Sequence, residues 1–204
     1  MDILGKLFGS AHRVKILRLF LLNPETLFDG DTISRRSKVP LKEAKKELLM
    51  LAEVRLIRHK SLTRSESNEN EEKSAQKDLK KGWQLDRQFP LIDPLRLLLL
   101  YTVPFTREEV VQRLRRVGKL KLIVTAGIFI QQDDSRTDLL IVGDDIKRSA
   151  LEHAIRAMEA EIGRELNYGV FETQDFHYRY GVYDKFIRDV LDYPHDKIVD
   201  KIGL

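Results

Sequence analysis

The strongest chemical signal is a group of lysines in one short helical stretch. Lys45 and Lys46 lie three and four residues after Lys42, so on an α-helix all three share one face. Lysine carries a compact charge without a fixed fork of donors, which suits phosphate oxygens better than base edges. Three more cations come just before this stretch: Arg35, Arg36 and Lys38. The pattern predicts a DNA-contacting face, and a solvated helix surface is the alternative interpretation.

A second set of cations flanks a polar, low-complexity segment over 61–81. The set comprises Lys60, Arg64, Lys80 and Lys81. These side chains could reach neighbouring phosphates. Acidic residues inside the segment disfavour close contact between its tip and a polyanion. They are Glu66, Glu69, Glu71 and Glu72.

Other chemistries find little support. The chain has no cysteine, which excludes a disulfide framework, a thiolate metal site and a thiol nucleophile. Its five histidines lack metal-ligand spacing, and neither a phosphate-binding loop motif nor a nucleophile–base arrangement is visible. We therefore expect no metal and no cofactor. His177, Tyr178 and Tyr180 could line a pocket, although ordinary amphipathic packing is the favoured interpretation.

The chain-level features suggest a cytoplasmic protein without a membrane partner. The N-terminus lacks a cleavable-signal pattern, and the longest uncharged apolar run, Leu97–Phe105, is far shorter than the roughly 20 residues of a membrane span. Charge is unevenly distributed. Residues 1–118 carry 24 basic against 16 acidic side chains, whereas 119–204 carry 12 against 16, so each half is expected to meet different partners.

The elements that position the lysines follow from hydrophobic periodicity. Helical spacing predicts helices over Ser10–Leu22, Thr32–Ser37 and about Leu41–Val54. Ser10 is the expected N-cap of the first helix, and Asp31 or Thr32 that of the second. Strands are expected over 55–60 and 82–86, where Trp83 and Leu85 are interpreted as core residues. This order predicts a winged helix-turn-helix over 1–88, with 61–81 as an extended, disordered wing.

The next segment, 89–118, is predicted to be a helical connector. Helices are expected over Leu91–Tyr101 and Thr106–Val117. Leu95 and the run Leu97–Leu100 exceed what one narrow helix face can bury, so this region is the candidate dimer interface.

Residues 119–204 are predicted to form a small α/β domain, giving an α+β chain. Apolar segments over Leu120–Ile130 and Thr137–Val142 predict a strand pair, and Ile146–Gly163 an amphipathic helix. Leu166–Glu172 predicts another strand. Helices are expected near Thr173–Tyr178 and Tyr183–Leu191, followed by a short terminal segment.

Two resemblances sharpen this prediction. Residues 10–20, SAHRVKILRLF, resemble the opening helix of bacterial and archaeal winged-helix regulators. The back half resembles polymerase-β-like nucleotidyltransferase domains in three segments: Thr137–Asp144, Arg164–Phe171 and Phe186–Leu191. The second resemblance implies a strand that presents two carboxylates to magnesium after a Gly-Ser turn that cradles nucleotide phosphates.

The sequence departs from that family pattern where catalysis would need it. Asp138 matches the second carboxylate, but Arg136 occupies the first position and Asn167 the third. Residues 125–128, TAGI, replace the Gly-Ser turn. The domain is therefore interpreted as a pseudo-nucleotidyltransferase in which Asp138 is a vestige of the metal site or a strand-end surface residue.

The functional expectation is a sequence-specific, DNA-binding transcriptional regulator. It would bind duplex DNA as a homodimer, since two-fold symmetry matches palindromic sites. The back domain would mediate dimerisation or sense a protein or small-molecule effector without catalysis. One alternative is an active nucleotidyltransferase, in which Asp133, Asp134, Asp144 or Asp145 would partner Asp138. The other is a winged-helix module that binds protein.

Overall fold

In the computed structural model, residues 3–62, 80–100, 105–132 and 135–204 are described, and they combine helices with two small sheets. This mixture is compatible with the predicted α+β class. The chain divides into two units, Met1–Leu99 with Ala160–Arg164 and Leu100–Glu159 with Glu165–Leu204. The division falls inside the segment 89–118 that the sequence analysis treats as a connector. In the described ranges, every helix is too short or too polar to cross a membrane.

The first unit begins with helices and continues into a hairpin. Its helices are α1 (Ile3–Leu7), α2 (Ala11–Leu22), α3 (Gly30–Ser37), α4 (Leu41–Glu53) and α5 (Ile92–Leu100), and its strands are β1 (Ile57–Leu62) and β2 (Lys80–Leu85). Helices α2 and α4 end within one residue of their predicted bounds. Helix α1 was not predicted, because its five residues are too few to display a helical period.

The caps show how local chemistry sets the helix starts. Ser10 caps α2 as predicted, since its Oγ accepts a hydrogen bond from the Arg13 N–H at 3.1 Å. The predicted cap of α3 is wrong. Asp29 rather than Asp31 or Thr32 holds that position, and its Oδ1 accepts from the Thr32 N–H at 2.7 Å. The helix therefore starts at Gly30, two residues earlier than predicted.

The hairpin gains a third, single-residue strand. Strands β1 and β2 pair antiparallel, with Ile57 opposite Leu85 and Lys60 opposite Gly82. Phe28, in the segment between α2 and α3, exchanges backbone hydrogen bonds with Trp83 at 2.7 and 2.9 Å. Gly82 allows this close approach, because a Cβ there would lie 2.6 Å from the Phe28 carbonyl oxygen. The hairpin is thereby fixed to the helical part of the unit.

One apolar core holds these elements together. Its buried side chains include residues of α2, α3, α4, the hairpin and the position just before it: Ile16, Phe20, Ile33, Leu48, Leu56 and Leu85. Leu85 is 2% exposed, which confirms the prediction that it is a core residue, and the half-buried Trp83 packs against the same cluster. The Phe20 and Phe28 rings meet edge to face with centroids 5.7 Å apart.

The second unit is built on a mixed sheet. Its elements are α6 (Arg107–Leu114), β3 (Lys119–Thr125), β4 (Leu139–Asp144), α7 (Arg148–Ile162, whose last three residues belong to the first unit), β5 (Tyr168–Phe171), α8 (Thr173–Gly181), α9 (Lys185–Leu191) and β6 (Asp196–Asp200). The strand order is β5-β4-β3-β6. The β4/β5 pair is parallel, and β3 pairs antiparallel with both β4 and β6.

The prediction of one strand over Leu120–Ile130 is only half correct. Strand β3 ends at Thr125, and Gly127–Ile130 forms a single turn of 3₁₀ helix. The break lies at Gly127, whose φ of +54° belongs to the left-handed region that glycine adopts readily. The apolar side chains of 127–130 conceal this change, because hydrophobicity alone cannot distinguish a strand from a buried turn.

The central strands of this sheet are buried on both faces. Leu122, Val124, Leu140 and Val142 pack with Phe176 and Ile187 of α8 and α9 on one face. Alternate residues of a strand point to the opposite face, and there Ile123, Leu139 and Ile141 are also fully buried. This burial explains why the β4 sequence is continuously apolar rather than alternating.

Candidate nucleic-acid interface

Helix α4 presents a charged face opposite its buried one. Ala44, Leu48 and Leu51 are buried in the core of the first unit. Lys42, Lys45 and Lys46 are exposed, and we call them the lysine face. Pro40 precedes the helix and gives no side-chain cap, so the first backbone N–H groups of α4 have no capping side chain. Positive side chains and open N–H donors therefore occur at the same end of the helix.

The position of α4 is fixed by an ion pair to α2. Arg13 Nε donates to Glu47 Oε2 at 2.8 Å, and Arg13 Nη1 donates to the Phe8 carbonyl oxygen at 2.9 Å. The Glu47 side chain is only 12% exposed, so this pair is better shielded from water than a surface pair. The bridge orients the lysine face relative to the rest of the unit.

A tight turn joins α3 to α4. Lys38 ends α3 in the left-handed conformation, with φ +51°. Ser34 stabilises the turn from both directions: its Oγ donates to the Val39 carbonyl oxygen at 2.7 Å, and its carbonyl oxygen accepts from the Val39 N–H at 3.2 Å. Lys38 is consequently held exposed between the two helices.

The cations predicted on these helices are not equivalent. Lys46 Nζ lies 3.1 and 3.3 Å from the two carboxylate oxygens of Glu43. The Arg36 guanidinium packs 5.4 Å from the Phe28 ring centroid, and Arg35 donates to Thr32 Oγ1 at 3.4 Å. Within the described residues, Lys42 and Lys45 form no ion pair. These two are the most available charges of the lysine face.

The hairpin adds cations on its outer surface. Lys60 and Lys81 are exposed, whereas Lys80 is the first residue of β2 and Arg64 lies outside the described residues. Arg58, which the sequence analysis did not select, is exposed on the same strand face as Lys60 because the two lie two positions apart on the strand. This spacing was the signal that could have identified it. The acidic residues of 66–72, with most of the predicted wing, also lie outside the described residues.

In the second unit, the predicted site residue Asp138 is buried, unlike the exposed lysines of the first unit. Asp138 is 1% exposed, so the expectation of a strand-end surface residue is wrong. Its Oδ1 accepts a hydrogen bond from the Ile128 N–H at 3.1 Å, and its Oδ2 accepts from the Asn167 N–H at 2.9 Å. The carboxylate therefore joins the start of the 3₁₀ helix and the segment before β5 to the start of β4.

The other residues of the predicted metal pattern do not gather around Asp138. Arg136 forms an exposed ion pair with Asp189 at 3.0 Å. Asp144 lies at the far end of β4, about 20 Å away for six residues of strand. Asp145 pairs with Lys119 at 2.8 Å, which lowers the pKa of that carboxyl.

Where residues are described, no group of three or more acidic, histidine or cysteine side chains could hold a metal ion. Asp133 and Asp134, two of the partners considered for Asp138, lie outside the described residues. Asn167 is exposed and contributes its backbone rather than its side chain to Asp138.

The tyrosines of the second unit are unexpectedly exposed. Tyr178 is 70% and Tyr180 45% exposed, and His177 beside them is also exposed. These three side chains therefore lie outside the core, although the His177 and Tyr180 rings contact that of Phe176. In α8 it is Phe176 that is fully buried.

Comparison with known proteins identifies no relative of this chain. No family model, curated protein or solved structure matches it. The two resemblances noted in the sequence therefore stay predictions, and the functional argument depends on the geometry of the two units.

Proposed function

We propose that the first unit is a winged helix-turn-helix module that binds duplex DNA, with α4 as the recognition helix. The order of three helices and a hairpin, α2-α3-α4-β1-β2, supports this proposal, as does the Phe28 bridge that adds a third strand. In such modules the second helix of the helix-turn-helix enters the major groove. Here that helix is α4, which carries the lysine face.

The single observation that carries the proposal is the exposure of Lys42 and Lys45. Both side chains lie on the solvent face near the start of a helix whose other face is buried. Ammonium groups in this position can displace counterions from phosphates, which is the main source of affinity for duplex DNA. Lys60 and Arg58 on the hairpin would add contacts to neighbouring phosphates.

The proposed biological role is that of a dimeric transcriptional regulator. Exposed leucines on α5 support self-association: Leu97 is 56% and Leu98 45% exposed, within the region predicted as the dimer interface, whereas Leu99 of that region is buried in the core of the first unit. Burying such side chains between two copies would remove them from water. A dimer would place two copies of α4 on two half-sites of a palindromic sequence.

We propose that the second unit acts without catalysis. Both carboxylate oxygens of Asp138 accept backbone hydrogen bonds, which supports a structural role for this residue rather than metal binding. The unit would then serve dimerisation or the sensing of an effector. Its net negative charge in 119–204 also makes it a poorer partner for DNA than the basic front half.

The test is fluorescence anisotropy of the full chain on a mixed-sequence duplex, titrated with salt. We expect log Kobs to fall linearly with log salt concentration. Replacing both Lys42 and Lys45 by Gln should lower the magnitude of that slope by about 2, one unit for each lost phosphate contact. The matched control replaces Lys147 and Lys185, two exposed lysines of the second unit, by Gln and changes net charge equally.

Equal losses in the two double variants would show that net charge rather than the lysine face drives binding. Absence of binding at low salt would overturn the proposed function. If DNA does not bind, the alternative of a protein-binding module becomes the better interpretation of the exposed α4 face.

A further inference from the structure

Strand β5 lies at one edge of the sheet in the second unit. The strand order β5-β4-β3-β6 gives β5 a single strand partner, β4, within the described part of the chain. The free side of an edge strand presents backbone N–H and C=O groups that can pair with a strand of another molecule. The direction of these groups and the side chains beside them determine what β5 can bind.

The backbone groups on the free side of β5 belong to Tyr168 and Val170. Leu139 lies opposite Tyr168 in the parallel β4/β5 pair, and its N–H donates to the Asn167 carbonyl oxygen at 3.3 Å. In this pattern Leu139 bonds to the residues on either side of Tyr168, so the N–H and C=O of Tyr168 itself point away from β4. Val170 has the same direction, because it lies two positions further along the strand. Both residues therefore offer one donor and one acceptor to a neighbouring strand.

The α7 side of this edge carries apolar surface. Tyr168 is 38% exposed, and together with Val170 it lines a groove between β5 and α7. Ile146 and Leu151 form the apolar floor of the same groove. A strand added to β5 would cover these side chains, and removal of apolar surface from water would add to the free energy of its backbone hydrogen bonds.

The other side of the edge carries an aromatic ring that depends on a glycine. A Cβ at Gly169 would lie 2.6 Å from the Phe186 ring, so the absence of a side chain lets this ring lie directly against the strand. Phe186 is 36% exposed, although Phe171 supports it with ring centroids 5.8 Å apart. Exposed aromatic surface therefore borders β5 on both faces of the sheet.

The two edge strands of the sheet differ in charge. Strand β6, at the opposite edge, has three charged residues in five: Asp196, Lys197 and Asp200. Charges on an edge strand disfavour its pairing with another molecule, and so does proline. Strand β5, with the sequence YGVF, has neither. The contrast indicates that β5 is the edge suited to pairing.

The residues of β5 match those of a second copy of the same strand. If two β5 strands pair antiparallel about a two-fold axis at Gly169, Tyr168 of each copy lies opposite Val170 of the other. Such pairs of an aromatic and a β-branched side chain are favourable. The two Gly169 residues then form a non-hydrogen-bonded pair with Cα atoms about 4.5 Å apart. This spacing brings the two Phe186 rings close enough for aromatic contact.

Charge also favours a second copy over a charged peptide from another protein. In this register, Glu172, the first charged residue after the strand, lies opposite Leu166 of the other copy, so the pairing creates no repulsion there. The groove between β5 and α7 contains Arg148 together with Glu152 and Glu172. This mixture of signs selects neither an acidic nor a basic peptide.

We propose that two copies of the chain pair through β5, antiparallel about a two-fold axis at Gly169, so that their two sheets become one continuous sheet. Tyr168 of each copy exchanges both backbone hydrogen bonds with Val170 of the other. This inference rests on the proposed dimer and places the contact of its second unit at β5. The contact is small, so we expect a Kd of about 10 μM.

The first test is amide hydrogen exchange of the full chain, without DNA, followed for each residue by NMR at protein concentrations below and above the dimer Kd. The N–H groups of Gly169 and Phe171 bond to β4 and should exchange slowly at every concentration. Those of Tyr168 and Val170 should exchange fast in the monomer and about tenfold more slowly in the dimer. Fast exchange of both at every concentration would overturn the proposal.

The second test compares variants by sedimentation equilibrium. Val170→Pro removes an N–H on the free side of β5, a position where edge strands accept proline. Its Kd for dimerisation should therefore rise at least about tenfold while its Tm changes little. The matched control, Val170→Thr, keeps the N–H and the β-branched shape and should dimerise like the wild type. If Val170→Pro unfolds the second unit, the exchange measurement on the wild type decides.

Leu97→Lys separates this contact from the exposed leucines of α5. If Leu97→Lys dissociates the dimer and Val170→Pro does not, the dimeric role stands and the β5 contact is overturned. A chain that stays monomeric at every concentration would overturn both. Neither result depends on whether Lys42 and Lys45 bind DNA, so failure here is distinguishable from failure of the proposed DNA-binding function.

Discussion

Charged residues that the sequence selects by spacing have opposite surroundings in the two units. In the first unit, Lys42 and Lys45 are exposed and form no ion pair within the described residues. In the second, Asp138 is 1% exposed and both of its oxygens accept backbone hydrogen bonds. An exposed charge can exchange water for a ligand at little cost, whereas a buried one has already exchanged water for the protein. Accessibility therefore separates a binding charge from a structural one.

Two aspartates, Asp29 and Asp138, allow the same comparison between an exposed and a buried charge with one type of side chain. Asp29 and Asp138 are both aspartates that accept backbone N–H bonds, at 2.7 Å from Thr32 and at 2.9 Å from Asn167. Asp29 is exposed and Asp138 is buried. If burial sets the value of such a bond, removing each side chain should give different losses of stability.

The largest effect is expected for Asp138→Ala. It leaves the N–H groups of Ile128 and Asn167 without their acceptor in a buried site, and each unsatisfied group costs about 1–3 kcal/mol. We expect a loss of about 3 kcal/mol in the free energy of unfolding, measured by urea denaturation. The control is Asp189→Ala, which breaks the exposed ion pair with Arg136 and should cost less than about 1 kcal/mol.

Equal losses in Asp138→Ala and its control would contradict the structural role of this carboxylate. The nucleotidyltransferase alternative would then regain support. An intermediate loss for Asp138→Asn is expected, since an amide oxygen can replace only one of the two acceptors.

A somewhat smaller loss is expected for Gly127→Ala. The residue has a φ of +54°, and an added Cβ would collide with Asp138 Oδ1. Backbone strain and the steric conflict together should cost about 2 kcal/mol. In the Asp138→Ala background the collision is absent, so the same substitution should cost only about 1 kcal/mol. This non-additivity, measured in a double-mutant cycle, would show that Gly127 and Asp138 act as one unit; strictly additive losses would contradict it.

The sequence predicted the elements of the first unit well for a physical reason. In α2 and α4, apolar residues recur at helical spacing, and Ser10 and Pro40 mark the starts. The lysine face follows from the same period, because the residues opposite the buried ones must be exposed. Helical periodicity carries no information about contacts between residues that are distant in the sequence. Neither the Phe28 strand nor the Arg13–Glu47 ion pair, whose residues lie 34 apart in the sequence, has a signature that separates it from its alternatives. The Lys46–Glu43 contact is local, since helical spacing places residues three apart on one face.

The second unit was harder to predict because its central elements are uniformly apolar. No polar residue in 126–130 indicated that Gly127 ends the strand, and one hydrogen-bond partner of the buried Asp138 is the Asn167 N–H, 29 residues away. The exposure of Tyr178 and Tyr180 was missed for a similar reason. The sequence alone does not separate the aromatic side chains of α8, and only the three-dimensional packing shows that Phe176 is the one that is fully buried.

A loss of about 1 kcal/mol is expected for Asp29→Ala, the usual value of an N-cap. The N–H of Thr32 holds the pKa of the Asp29 carboxyl below its ordinary value near 3.8. The cap therefore contributes fully above that ordinary pKa and loses its contribution as the pH falls through the lowered one. Urea denaturation at pH 7 and at pH 2 measures this: the difference between wild type and variant should be present at the first pH and reduced at the second. A loss as large as that of Asp138→Ala would contradict the role of burial.

The smallest effect is expected on the lysine face itself, from Glu43→Gln. Lys46 is the one lysine of that face with an ion pair in the described structure, and its partner Glu43 also repels phosphate. Removing that carboxylate should increase DNA affinity about threefold and steepen the salt dependence by up to one unit, measured by anisotropy. Glu53→Gln, an exposed change at the other end of α4, is the matched control for net charge. If both variants gain equally, the effect is one of net charge. If only Glu43→Gln gains, Lys46 differs from Lys42 and Lys45 because of its partner, and availability rather than position along the helix determines which lysine contacts phosphate.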